Sequence, residues 1–299
     1  MIKGIDVSYA QGRPNWKLVK ESKEVDFVYV KASEDLALRG PDVSFEYNWK
    51  SLQEEGIPRG AYHFYRSSVD PVKQAEAFYS IVKELLTEDM PPVIDVEVPP
   101  PAEQTTIEYA ENVKKFIGKA EELFKRKVVV YTGGPIFNSS TKGASQDVLD
   151  FISDRDLWLA AYVTNPDKFV PVAWMKRKKS WIIWQKSGDI GANNSPGKRI
   201  QGIKGVVDYN EFQTEISSLP DWIKSSYLSK QIVVANEEIE VEISIEHPIE
   251  KKSEVDATKD ISEQTNTSPK DIEKPVKNLF EILFGYIKII FSIFFRGNK

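Results

Sequence analysis

Over roughly the first 215 residues, short apolar runs alternate with longer segments whose apolar residues recur at helical spacing. The runs fall at 4–7, 27–31, 60–65, 93–96, 128–131, 157–162, 181–184 and 205–208. Several are near-continuous, the pattern of strands buried on both faces of a parallel sheet. The segments 15–22, 43–55, 71–86 and 105–126 read as helices, the last with Thr105 and Thr106 near its start. Eight strands with intervening helices predict an α/β fold, an irregular TIM-like (β/α) barrel over 1–218, at the short end of that fold's usual size. The last crossovers are too short for full helices, so the irregularity is expected there.

The pattern changes after Leu219. Residues 231–246 (QIVVANEEIEVEISIE) alternate apolar and acidic positions around Ala235-Asn236, which predicts a short β-hairpin extension within 219–246. Residues 247–277 are rich in Lys, Glu, Asp, Ser, Thr and Pro and read as an acidic, disordered, solvated linker. Residues 278–299 then carry the run LFEILFGYIKIIFSIFF, in which only Glu281 and Lys288 are charged. A helix there would be apolar nearly all round, at the lower length limit for crossing a membrane. Docking, self-association and contact with a membrane or a larger assembly are all consistent with it.

Composition narrows the chemistry. With no Cys, the chain has no disulfide framework, thiol nucleophile or Cys-ligated metal. With only His63 and His247, His-rich metal sites are not expected, and no cofactor is read from the sequence. The net charge of −5 argues against nucleic acid as a partner. Residues 236–277 hold 12 acidic and 6 basic side chains, which leaves the rest of the chain near neutral. The N-terminal stretch MIKGIDVSYAQGRPNW does not read as a secretory leader, so delivery to any target outside the cell is expected by another route.

The most informative stretch is Pro91-Pro92-Val93-Ile94-Asp95-Val96-Glu97. Two carboxylates two positions apart on a strand project to one face, their Cα atoms roughly 6.5–7 Å apart. Paired carboxyl groups are what glycoside hydrolysis requires, one as proton donor and one as base, nucleophile or charge stabiliser. Neighbouring negative charge raises one pKa and keeps that group protonated. The pair also ends an apolar strand, where barrel enzymes place catalytic groups. By itself, Asp-X-Glu is more often a cap and a solvated acid.

Asp6, Asp208 and His63 stand at what read as equivalent strand ends. In a closed barrel the first and last strands are neighbours, so Asp6 and Asp208 are expected to approach. A ring of Asp6, His63, Asp95, Glu97 and Asp208 would also suit a divalent cation, a weaker reading with one His available. His63 has its own plain alternative, a core histidine with a backbone partner. Tyr9, Tyr65, Tyr131, Trp158, Tyr162 and Trp184 also fall at or near strand ends, and about half are expected to face a groove as sugar platforms.

GIDVSYAQG at 4–12, FVYVKASE at 27–34, GAYHFYR at 60–66, PPVIDVE at 91–97, LWLAAY at 157–162, WIIWQ at 181–185 and GVVDYNEF at 205–212 occur in the order seen in glycoside hydrolase family 25. The chain resembles these Chalaropsis-type lysozymes, or N-acetylmuramidases, which are common among bacteriophage endolysins. The resemblance spans residues 1 to about 215. It implies a modified β/α barrel cleaving the β-1,4 bond between N-acetylmuramic acid and N-acetylglucosamine, with the glycan strands of peptidoglycan as partner and substrate. It maps the acid/base group onto Glu97 and the companion carboxylates onto Asp6, Asp95 and Asp208. Tyr9, His63, Tyr65, Tyr131, Trp158, Tyr162 and Gln185 are the expected substrate contacts. Two positions depart from the family pattern: the usual His-Tyr-Gln reads Tyr9-Ala10-Gln11, and Ala-Thr-Glu reads Ala32-Ser33-Glu34.

Two rivals follow. A catalytically inactive wall-binding module would keep the groove without turnover, and a metal-dependent barrel hydrolase would lose activity in chelator. The expected site of action is the bacterial cell wall, reached on release or as part of a phage virion or injection assembly. Membrane association through 278–299 is the remaining expectation.

Overall fold

The computed structural model describes residues 2–35, 41–188 and 197–212. They form eight strands in a closed barrel whose spatial order is the chain order. The strands are β1 (Lys3–Val7), β2 (Phe27–Glu34), β3 (Arg59–Phe64), β4 (Val93–Asp95), β5 (Val129–Thr132), β6 (Asp156–Ala160), β7 (Trp181–Ser187) and β8 (Asp208–Phe212). The first seven run parallel to their neighbours. β8 runs antiparallel to both β7 and β1.

The helices expected from the sequence are present as α1 (Trp16–Ser22), α2 (Phe45–Glu54), α3 (Pro71–Val82) and α4 (Thr106–Phe124). Each reflects local chemistry at its start. Asn15 and Asp70 cap α1 and α3 through their side chains, and Thr105 with Glu108 forms a full capping box on α4. Such a cap contributes about 1 kcal/mol. Two further helices, α5 (Gly134–Ser140) and α6 (Gln146–Ser153), fill the β5–β6 crossover. The β6–β7 crossover holds only a 3₁₀ turn, Pro166–Phe169, and the five-residue α7 (Val172–Lys176). The barrel is therefore irregular where the sequence predicts it.

One strand differs from expectation. The run 205–208 precedes the strand, and Asp208 opens β8 rather than ending it. An antiparallel strand needs no helical crossover to return, and 197–207 ahead of β8 hold turns and the isolated bridge Lys198–Val207 rather than a helix. Gly202 and Gly205, at φ +90° and +89°, supply left-handed turns ahead of β8.

Strand alternation splits the apolar residues into two layers. Ile5, Val7, Val28, Val30, Ala32, Ala61, Ile94 and Val130 pack outward against the helices. Phe27, Tyr29, Val93, Val129, Tyr131, Trp158, Ile183 and Phe212 fill the barrel interior. The interior is aromatic, with Tyr29 and Trp158 ring centres 4.8 Å apart and Phe27 and Phe212 4.7 Å apart. Gly4 and Gly60 make room for it, since a Cβ at either would overlap the ring of Phe27 or Tyr29. Among the described residues, no helix is long and apolar enough to cross a membrane. The expectations for 219–246, 247–277 and 278–299 lie outside the described residues.

Candidate active site

In a parallel barrel the carboxyl ends of the strands gather at one mouth, and their loops build the site. Because β8 is reversed, its first residue reaches that same mouth. Asp208 is the register partner of Asp6 on β1, so the two acids expected to approach do so. Asp95 ends β4, and Glu97 lies two residues beyond it. All four carboxylates line one cleft of about 360 Å³.

A hydrogen-bond network fixes this arrangement. Gln185 Nε2 donates to Asp6 Oδ2 at 3.0 Å and to Asp208 Oδ2 at 3.3 Å. Its Oε1 accepts from the hydroxyls of Tyr131 at 2.7 Å and Tyr162 at 2.8 Å. Burial raises the pKa of both phenols, so they remain O–H donors. Asn210 Nδ2 donates to Asp6 Oδ2 at 2.7 Å, and Asn210 Oδ1 accepts from Trp158 Nε1 at 2.8 Å.

Electrostatics sets Asp95 and Glu97 apart as proton carriers. Burial raises the Asp95 carboxyl well above its ordinary value, and the neighbouring Glu97 charge adds to this. Asp95 Oδ1 is buried without a hydrogen-bond partner, which further suits a neutral carboxyl. Glu97 stands exposed at the mouth, yet the cleft walls and the charge of Asp6 raise its carboxyl too. Such a pair holds a proton between its members to higher pH than either acid would alone.

The remaining expected residues divide. Tyr9, Tyr131, Trp158, Tyr162 and Gln185 line the cleft. Tyr9 stands at the rim, 64% exposed. Trp158 is almost wholly buried as part of the floor, with Tyr131 packed edge-on against it at 5.1 Å. Both N–H groups and both acceptor positions of Gln185 are engaged within the protein, which makes it a clamp on Asp6 and Asp208 rather than a free substrate contact.

His63 and Tyr65 are corrected: neither lines the cleft. Phe64 is the register partner of Asp95 and shares its inward face, so alternation turns His63 and Tyr65 toward the helices. Tyr65 packs on Tyr109 and Phe116. His63 is wholly buried beside Phe78 and Phe116, which removes it from any metal-binding ring with the four acids. Trp184 likewise packs on Trp181, and its indole donates to Ala161 O.

Sequence reasoning missed Lys31, Tyr62, Phe64 and Asn210. The first three line the cleft, and Asn210 holds Asp6. Their signal was parity, because Lys31 is two residues from the inward Tyr29 and Asn210 two from Asp208.

The profile of glycosyl hydrolases family 25 matches residues 5–193. The chain is 28% identical over 227 residues to the Escherichia coli K12 protein YegX, covering 74% of this chain and 73% of that one. It is 29% identical over 226 residues to Lysozyme M1 of Streptomyces globisporus, covering 73% and 70%. The barrel superposes on the bacterial lysozyme of Streptomyces coelicolor with a TM-score of 0.61 at 29% identity, over 73% of this chain and 94% of that one. With its paired carboxyls in an aromatic-lined cleft and a family match over most of the barrel, the chain belongs to glycosyl hydrolases family 25 and is a lysozyme-type glycosidase.

Proposed function

We propose that the chain cleaves the β-1,4 bond between N-acetylmuramic acid and N-acetylglucosamine in peptidoglycan, with Glu97 as the proton donor to the leaving oxygen. The observation that carries this reading is the Asp95–Glu97 pair, with both carboxyls pushed toward the protonated form and only Glu97 exposed at the mouth. An acid that keeps its proton and meets solvent is placed to hand it to a glycosidic oxygen. Asp95, once ionised, stabilises the positively charged sugar of the transition state or helps it form. Asp6 and Asp208, held by Gln185, fix the far wall against the sugar and its amide. The exposed ring of Tyr9 provides an apolar face at the rim for a neighbouring sugar.

Mass spectrometry of purified peptidoglycan digested by the full chain tests the reading. New reducing ends at N-acetylmuramic acid are expected, and Glu97→Gln lowers their release by about 10²–10⁴-fold. Cleavage at the other glycosidic bond, or a Glu97→Gln variant near wild-type turnover, would overturn it.

A separate proposal concerns residues 278–299, whose apolar run supports tethering of the enzyme to a membrane or to a larger assembly such as a phage virion. Deleting them should change fractionation, oligomeric state or incorporation into such an assembly. If none of these changes, the tether is excluded.

A further inference from the structure

Four carboxylates, Asp6, Asp95, Glu97 and Asp208, share the cleft with one cation among the described residues that line it, Lys31. Lys31 lies on β2, two positions beyond Tyr29, the register partner of Asp6, and so just above Asp6 on the inner face. Its side chain is 11% exposed. A lysine is almost never this buried without a partner. Here Nζ donates to Glu34 Oε2 at 2.7 Å.

Glu34 has a second cation. Arg66 Nε donates to Glu34 Oε1 at 2.8 Å, and Arg66 Nη2 donates to the same oxygen. The ring of Phe64, itself part of the cleft wall, lies 4.5 Å from Lys31 Nζ and 4.5 Å from the Arg66 guanidinium carbon. Among the described residues, two cations therefore close on the one carboxylate of Glu34. Taking an ammonium out of water is costly; Glu34 offsets part of that cost, and the acids across the cleft face the same charge. Lys31 acts on both members of the proton-carrying pair, drawing Asp95 and Glu97 down against the burial that raises them.

We propose that Lys31 is a positioning residue of the glycosidase, a fixed counter-charge that acts through Asp95 and Glu97. It sets the pH range in which one of the two is ionised while the other holds the proton. The proposal rests on the roles given to those two carboxyls above. Among the described residues, the charged groups facing the pair are Asp6 on β1, Lys31 and Glu34 on β2, Arg66 after β3 and Asp208 on β8. The phenols of Tyr62 and Tyr131 also face it, but burial raises both, and they remain neutral.

The test is the pH profile of reducing-end release from purified peptidoglycan, using the full chain and three variants. Lys31→Met keeps the length of the side chain and removes the charge. Both carboxyls then bind their protons more tightly, and both limbs of the kcat profile move up by about one pH unit. Lys31→Arg restores the wild-type profile. Glu34→Gln removes a negative charge that raises both carboxyls and moves both limbs down, which keeps the test alive if Lys31→Met does not fold. A role confined to packing would lower the rate at every pH and leave the limbs in place, and that result would overturn the proposal.

Carboxyl ¹³C NMR of the same proteins, labelled at Asp and Glu, reads the two titrations without substrate. If the wild type releases no reducing ends, the proposed function fails. The NMR shift between wild type and Lys31→Met still decides the part played by the lysine.

Discussion

Asp6 and Asp208 are register partners on antiparallel strands, and one amide nitrogen, that of Gln185, donates to both. The amide is held from its other end by two tyrosine hydroxyls, so its N–H groups must point at the acids. Gln185→Leu removes both donors and leaves two carboxylates facing each other. A hydrogen bond to a charged group contributes about 1.5–3 kcal/mol, and about 1.4 kcal/mol is tenfold in rate. Turnover on peptidoglycan should therefore fall roughly 10–100-fold with little change in KM. Tyr131→Phe and Tyr162→Phe should show a smaller loss of the same kind. A raised KM at unchanged kcat for Gln185→Leu would place the amide on the substrate instead.

The Glu97 carboxyl is raised first by desolvation between the cleft walls and next by the charge of Asp6. The alkaline limb of the activity profile, where the pair loses its last proton, should thus lie above the ordinary carboxylate range. Asp6→Asn removes a negative charge, lowers the Glu97 pKa and brings that limb down in pH, whatever it does to the maximum rate. A kcat/KM profile measured across the alkaline side checks the direction. An unmoved or rising limb would mean that Asp6 does not feel the acid.

Much of this was legible in the chain because local rules and tertiary packing agree. Continuous apolar runs gave seven parallel strands, and Thr105 with Thr106 marked the start of the longest helix among the described residues. Asp95-Val96-Glu97 gave the acid pair, because spacing by two puts both on one face whatever the neighbours do. The direction of β8 was not legible, since a run of four residues carries no polarity. Asp208 reached the right place by opening a reversed strand instead of ending a parallel one. His63 and Tyr65 were misplaced because an aromatic strand has no polar face to fix its parity. Phe64 opposite Asp95 settles it only once the register is known. Lys31 escaped notice because a lone lysine in an apolar strand reads as an edge position until its partners Glu34 and Arg66 fold onto it.

The histidine turned away from the cleft gives the barrel a dependence on acid. Gln74 Oε1 accepts the backbone N–H of Arg66, and its Nε2 donates to two carbonyls, so its oxygen must face His63. His63 Nε2, 3.1 Å away, therefore carries the proton, and Nδ1, at 2.8 Å, accepts from the Ser33 hydroxyl. The neutral ring is fully satisfied, and burial lowers its pKa from 6.5 to about 4. The unfolded chain takes up this proton below pH 6.5 and the folded chain does not until near pH 4. The stability is therefore complete above pH 6.5 and is lost progressively as the pH falls toward 4. The loss amounts to about 3 kcal/mol. Unfolding free energies of wild type and His63→Gln, measured by denaturant titration over that interval, isolate the effect. The advantage of the wild type should shrink by about this amount on acidification. A difference that stays constant with pH would show that His63 is charged, or solvated, in the folded barrel.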